Sequence, residues 1–574
     1  MWQTHAKLLS RFSLVILVLL GFGFSWRWIE ARQASNPVAY GVISGSVTAD
    51  QREVRAFRVK AKDTVHLITY TVFTNKGTYS VYNLPPSTYQ VEVMEETFES
   101  PVQRVELKAG ETKTVDVALK AKPPVTTHVK LVDYDTLYPP GRARDLLGLY
   151  GFGFHGPYYH RMPKRTLAQW RYAVNRMFHV PGKWPQPSWT NPSGGASGGY
   201  LPADAVTEDE KRLIIEYLAA NFGPCSEDRD LKKDTLVRDE DALAQAMWVQ
   251  YELPPMDESR RKANGLSLNR GTHDVVPSPT RRGTVWMTGS GSNSVVALDT
   301  LNLDPKARIK EWVVDDPRPA RLNFNLSPNA ITEHNGHVYW TELKGDVIGD
   351  LNIATGEMHR HFAPTPAQNM HGIDADSRGN IWYVGLIGTV GRFNVNTKKF
   401  TEETPVKGKG NFYQMRVDQR DRVWASSTAN RMLAMYDPRT EKWTTIKTPD
   451  NVRRVDVDSK GRVWANEYFG NAVVMVDPDT LEVTEYKLPL KHGNPYETCV
   501  DPNDHVWLEN AEYQSFVKLD PRTKTFTYFP YPDLNAHTPD MESDAEGTLW
   551  SGLTGPGQPK YLTGLKPNGN VRKK

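Results

Sequence analysis

Cysteine is nearly absent: Cys225 and Cys499 are the only two in 574 residues. They lie far apart, so the chain has no disulfide framework, and its stability must come from buried apolar surface. Charge of one sign is also scarce. The net charge is +3 and basic residues are scattered, which excludes nucleic acid as an expected partner. A Ser/His/Asp arrangement, a phosphate-binding loop and a zinc signature are all lacking. Long apolar runs occur in one place only. "FSLVILVLLGFGF", Phe12 to Phe24, follows Lys7 and Arg11 and has the form of a signal peptide's basic and hydrophobic regions. The run is short for a full membrane span. Residues 1–40 are therefore expected to be a signal peptide or a membrane anchor, with residues 12–28 as the tether. Either makes the protein exported, periplasmic or anchored facing the periplasm.

What is present changes character along the chain. From Gly41 to Lys120 short alternating runs are broken at Gly77, Pro85, Pro86 and Gly110, which predicts a small antiparallel sandwich. "TNKGTYSVYNLPPSTYQVEV" and "VELKAGETKTVDVALK" resemble the carboxypeptidase regulatory-like domain over about eighty residues. Such modules share a fold with carbohydrate-binding domains, but no aromatic sugar platform can be placed, and a spacer or interaction role is expected.

Residues 135–226 turn helical. "TLAQWRYAVNRMF" predicts one face with Leu167, Trp170, Val174, Met177 and Phe178. "TEDEKRLIIEYLAANFGP" opens on a capping box, Thr207 with Glu210, and closes at Gly223. The region resembles a degenerate cytochrome c domain. In "GFGFHG", Gly151 and Phe154 stand where the two attachment cysteines belong, and His155 and Gly156 remain, so no covalent haem is expected. Residues 227–247 are charge-rich and read as a linker.

From residue 271 one unit recurs, with cores "GTVWMTG", "GHVYWTE", "GNIWYVG", "DRVWASS", "GRVWANE", "DHVWLEN" and "GTLWSG". Their aromatics, Trp286, Tyr339, Trp382, Trp424, Trp464, Trp507 and Trp550, are spaced by 53, 43, 42, 40, 43 and 43 residues. A period near forty with four short strands predicts propeller blades, and seven anchors predict seven. Asn352, Asn394, Asp437, Asp477 and Asp520 fall in phase as turn formers. The final unit lacks an outer strand, and "WVQYELP" at 248–254 is expected to supply it and remove a sheet edge. The fold class is thus mainly β: a seven-bladed propeller over 248–574, preceded by a β-sandwich and a small helical domain.

Inner strands surround a propeller's channel, so equivalent positions converge at one mouth. Eleven residues before each aromatic stand His371, Tyr413, Arg453, Tyr496 and Pro539. Two residues earlier stand Asn369, Asn411, Asn451, Asn494 and His537; blade two, one residue shorter, supplies Asn329 and Ser327 at these two positions, and blade one supplies His273. Four asparagines in one register serve either loop-to-strand turns or a ring of amides facing a ligand. Glu342 and Glu467 read as caps between strands. His359 and His361 alternate on an outer strand as a minor metal-binding candidate, and His334 and His337 flank a turn.

The units "NMHGIDADSRGNIW", "YWTELKGDVIGDLNIATGEM" and "VWANEYFGNAVVMVDPDTLEVTEYKLP" resemble the streptogramin (virginiamycin B) lyase family over about 320 residues. That resemblance implies Mg²⁺- and histidine-assisted elimination opening the ester of a cyclic depsipeptide. His371 matches a family histidine slot. Asn411-Phe412-Tyr413 and Asn494-Pro495-Tyr496 depart from the family's Glu-x-His pair, so the catalytic set would have to be His371 with His273 or His537 and Glu497. Strict alternation would turn Glu497 away from the channel. The expected function is binding of a small molecule or peptide at the mouth, through Asn329, Asn369, Asn411, Tyr413, Asn451, Arg453, Asn494 and Tyr496. The alternatives are a C–O lyase and a passive scaffold.

Overall fold

The computed structural model describes residues 39–50, 52–124, 128–151, 158–175, 178–179, 201–202, 206–256, 272–314, 326–366, 368–406, 411–553 and 560–572. The apolar run at 12–28 and the "GFGFHG" motif with His155 lie outside them. No helix among the described residues is long and apolar enough to cross a membrane.

The alternating N-terminal runs form the expected sandwich. One sheet orders Thr78–Leu84, Gly41–Ala49, Val117–Ala121 and Phe98–Glu99, with Thr112–Thr114 also on the first strand. The facing strands are Ile68–Phe73, Arg58–Asp63, Ser87–Met94 and Gln103–Leu107. Ile43, Val59, Val72, Val81, Tyr89 and Val91 fill the space between them. In Ser87–Met94 the period of two is explicit, with Tyr89, Val91 and Val93 buried.

In the helical region, Thr207 and Glu210 form the capping box at the start of Glu208–Phe222, and Gly223 caps its end. The helix Leu167–Asn175 buries Trp170 and Val174 one turn apart. It is shorter than expected: Leu167 is exposed in its first turn, Met177 lies outside the described residues, and Phe178 begins a short strand. Lys130–Val132 pairs in parallel with Arg229–Leu231, so the helical unit closes on itself inside the stretch read as linker.

Six antiparallel four-stranded sheets follow, starting at Thr272, Pro328, Met370, Phe412, Val452 and Pro495. Their inner strands adjoin in sequence, and that of blade one meets blade seven, so the ring is complete. Blade seven holds Glu542–Ser543, Leu549–Ser551 and Tyr561–Lys566, and Met247–Glu252 pairs with the last of these as the closing strand. The other edge of Met247–Glu252 pairs with Ile68–Phe73. One eight-stranded sheet therefore runs from blade seven into the sandwich.

Five blades are latched the same way. Asp376, Asp418, Asp458, Asp501 and Asp544 accept the indole N–H of the Trp six residues on, at 2.8–3.0 Å. The other carboxylate oxygen accepts backbone N–H groups across the turn, as at Asp458 from Lys460 and Arg462. Blade one differs: Trp286 donates to Glu333 of the next blade at 2.8 Å. The expected turn formers also act as such. Asp477 Oδ1 accepts the N–H groups of Asp479 and Thr480, and Asn394 those of Asn396 and Thr397.

Candidate functional site

The inner strands of blades one to six share an irregularity. Their pairing shifts register at the same place, between Met370 and Ile373, Phe412 and Met415, Val452 and Val455, and Pro495 and Thr498 in blades three to six. Blades one and two match. Such a bulge re-aims side chains, so two successive residues face the channel instead of one. Arg453 lies over the rings of Tyr496 and Tyr413, 3.7 and 4.3 Å from their centres, while adjacent Arg454 pairs with Glu497, Asp274 and Asp540. The bulge overturns the alternation expected at Glu497: its carboxylate is buried in the channel, Oε2 lying 3.0 Å from Arg454 Nε.

Neighbouring blades hold the bulged residues in place. Thr288 Oγ1 donates to the Asn329 carbonyl (2.5 Å), Thr341 Oγ1 to that of His371 (2.7 Å) and Ser426 Oγ to that of Arg453 (2.6 Å). Asn466 Nδ2 donates likewise to the Pro495 carbonyl.

At the mouth, the His371 ring sits 4.0 Å from that of Tyr413 and 5.9 Å from that of His273. His371 is 3% exposed, and its Nδ1 has no hydrogen-bond partner among the described residues. Burial, reinforced by the charges of Arg454 and His273, holds the imidazole well below its usual pKa, so it is neutral near pH 7. His273 Nδ1 lies 2.5 Å from Asp274 Oδ1, and its Nε2 lies 3.2 Å from Asn329 Nδ2. The Asn329 Oδ1 beside them is buried and has no partner among the described residues. Across the mouth, the Tyr413 and Tyr496 hydroxyls are 2.9 Å apart, and Arg453 Nη2 donates to the former at 2.8 Å. His537 stands at the rim, more than half exposed, its ring 5.6 Å from that of Tyr496.

Below the mouth the channel is ionic. Burial pushes the Asp274 carboxyl up, but Arg454 and then His273 outweigh it and hold it below the usual range. Burial wins at Glu497, raised well above that range, and at Asp540, raised to about 6. One layer deeper, Arg416 pairs with Glu542 and lies 3.4 Å from Asp456; burial raises Glu542 to about 8 against the pull of Arg416. These arginines plug the channel, since unpaired carboxylates at this depth would be far costlier.

The asparagine register divides. Asn411 Nδ2 donates to the Leu386 carbonyl and its Oδ1 accepts from Thr428. Asn451 Oδ1 accepts the Arg431 N–H, and its Nδ2 reaches the Gly148 and Leu149 carbonyls of the helical region at 3.4 and 3.5 Å. Asn369 and Asn494 take left-handed backbone conformations, with φ of +54° and +51°. These four serve the turns that lead into the inner strands. The structure brings together His371, His273, Asn329, Tyr413, Arg453, Tyr496 and Glu497, with His537 at the edge. Asp274, Arg454 and Asp540 were not foreseen; each sits one residue after the register that was read.

The residues present do not fit Mg²⁺. Asp274, Glu497 and Asp540 already surround the Arg454 guanidinium, and no metal-holding group of three His, Cys, Asp or Glu occurs among the described residues. On the outer strand of blade two, His361 leans toward Asp350 (3.5 Å) and His359 toward Glu357 (3.3 Å), so the two serve separate acids. A hollow of about 360 Å³ opens at the other end of the blades, but Asp501 and Asp544 there already latch Trp507 and Trp550.

The carboxypeptidase regulatory-like domain family matches residues 42–120. No curated protein matches the chain. Among solved structures, a streptogramin B lyase is similar at 19% identity and a TM-score of 0.47, covering 56% of this chain and 97% of that one. A virginiamycin B lyase from Staphylococcus aureus is similar at 17% identity and 0.47, covering 56% and 99%. YCF48 bound to D1 peptide is similar at 13% identity and 0.41, covering 58% and 99%.

Proposed function

We propose that the channel mouth binds a polar small molecule or peptide, with His371, His273, Asn329, Tyr413, Arg453 and Tyr496 as its contacts. One observation carries this reading: two buried polar atoms, His371 Nδ1 and Asn329 Oδ1, face no partner among the described residues on one side of the mouth, while across it the Tyr413 and Tyr496 hydroxyls bond each other and Arg453. Leaving such an atom unsatisfied costs about 1–3 kcal/mol, and a ligand that bonds both recovers it. The matched regulatory-like domain and the N-terminal apolar run support an exported protein.

A second reading is a C–O lyase, favoured by the neutral state of His371. An imidazole held neutral and unpartnered accepts a proton from carbon next to a carbonyl, the Arg453–Tyr413–Tyr496 group donates to the oxygen that gains charge, and the carbon–oxygen bond one carbon further on then breaks, leaving a carbon–carbon double bond and a carboxylate. The sequence likeness to streptogramin lyases supplies the candidate substrate, a cyclic depsipeptide.

The test is calorimetry and mass spectrometry of a streptogramin B with the protein and its His371→Ala variant. Heat of binding lost in the variant, with unaltered substrate, supports the binding reading. An isomeric linear product that disappears in the variant supports the lyase. Neither heat nor product counts against this ligand class at the mouth.

A further inference from the structure

The helical region rests on the mouth face of blades four to six. The turn Leu147–Gly151 offers the carbonyls that Asn451 binds. Tyr134 stacks on His492, with ring centres 4.4 Å apart and planes at 12°. Arg161 donates to both oxygens of Glu512, at 2.7 and 3.2 Å, and Lys233 Nζ lies 3.3 Å from the same carboxylate. Asp234 accepts the Lys491 N–H and donates its own to the Tyr513 hydroxyl. Tyr158 lies beside Tyr468, whose ring meets that of Tyr496 and lies under the Arg453 guanidinium in the site.

We propose that the helical region is a hinged cover over the channel mouth, held shut by Arg161 on Glu512, with Lys233 just beyond the hinge on the same carboxylate, and tilting open as a body to admit ligand. This rests on the mouth being the binding site. Two features make tilting easier than unfolding. The region has its own core, built on Leu137, Tyr138, Leu146, Trp170, Leu218 and Phe222, to which the propeller adds little beyond Ala429 and Phe469. Its two connections to the rest of the chain leave side by side through the parallel pair Lys130–Val132 and Arg229–Leu231. The latch is polar: Arg161 and Lys233 are each more than a third exposed, whereas the Glu512 carboxylate they share is 2% exposed, so salt screens the pairs only in part.

The experiment is hydrogen–deuterium exchange on the full chain, comparing wild type with Glu512→Gln and with the Arg161→Ala/Lys233→Ala double variant. Wild type is also compared in low salt and in salt on the order of 0.5 M. Exchange in segments 411–417, 451–457 and 494–500 should rise about tenfold or more, while 208–222 stays protected. Unchanged exchange at the mouth in both variants and in salt overturns the cover. Loss of protection in 208–222 to the same degree overturns the hinge, because the region would then be unfolding. Streptogramin B association, followed in parallel, separates the two ideas: a faster-exchanging mouth with no gain in association keeps the cover and removes the binding reading.

Discussion

The two ends of the same seven inner strands obey different rules. At the turn end an aspartate six residues before tryptophan recurs in five blades and does one job, bonding the indole and the turn backbone. At the mouth end the equivalent positions hold His371, Tyr413, Arg453, Tyr496 and Pro539. Every blade faces the same packing problem, so the solution repeats. The mouth presents one asymmetric surface to which each blade contributes a different group, so repetition there would defeat it. In a repeat protein, sameness in register marks structure and difference in register marks the site.

The contrast can be broken at the latch first. Trp464→Ala empties a fully buried indole position and should lower unfolding free energy by about 3–5 kcal/mol in a urea titration. Asp458→Ala removes the carboxylate that holds Trp464, Arg462 and two backbone amides, and should cost about 1.5–3 kcal/mol by the same measurement. A smaller loss at either position would mean that the latch is incidental to the blade.

The mouth should behave oppositely. His371→Gln is expected to change stability near pH 7 by less than about 1 kcal/mol while weakening ligand binding about tenfold or more, read by calorimetry. Its pH signature sharpens the point. The folded imidazole titrates well below the unfolded value of about 6.5, so its contribution is fully present above that value and is lost as pH falls through it. Glu497, Asp540 and Glu542, raised by burial, carry the opposite sign: their contribution is present at low pH and fades as pH rises. Going from about pH 5.5 to about pH 7.5, the urea midpoint should therefore rise less, or fall further, in His371→Gln than in wild type. Smallest of all, Asn494→Gly should stay within a few tenths of a kcal/mol, since glycine takes the left-handed conformation freely, whereas Asn494→Val should not.

The blades were legible because a period of forty residues is written in tryptophan and turn residues, and the closing strand because 248–254 supplied what the final unit lacked. The channel's chemistry was only partly legible. Register located His371, Tyr413, Arg453 and Tyr496, but assigning one residue per blade assumed a flat strand. The bulge in blades one to six doubles that number and brings in Asp274 and Arg454, which strict alternation hides, and Asp540 of blade seven joins them from just before its inner strand. The asparagines stayed open between a turn and a ligand role for a related reason. Asn suits a left-handed turn as well as a ligand, and Asn369 and Asn494 are in that conformation while Asn411 and Asn451 bond to backbone. The docking of the helical region on blades four to six depends on contacts hundreds of residues apart in sequence, such as Arg161 with Glu512, which carry no local pattern.

The strand Met247–Glu252 has a history as well as a position. Its neighbour on one side, Ile68–Phe73, is already made when it leaves the ribosome; its neighbour on the other, Tyr561–Lys566, is more than three hundred residues from being synthesised. Through that interval the nascent sandwich carries an open sheet edge, a template for mispairing with other chains. Arrival of the 561–566 strand closes the ring and seals the edge, and Asn570 then ties down onto Ser80 and Ala244. A chain interrupted before that point exposes the unfinished edge to chaperones and proteases, so synthesis of the 561–566 strand and concealment of the hazard are the same event.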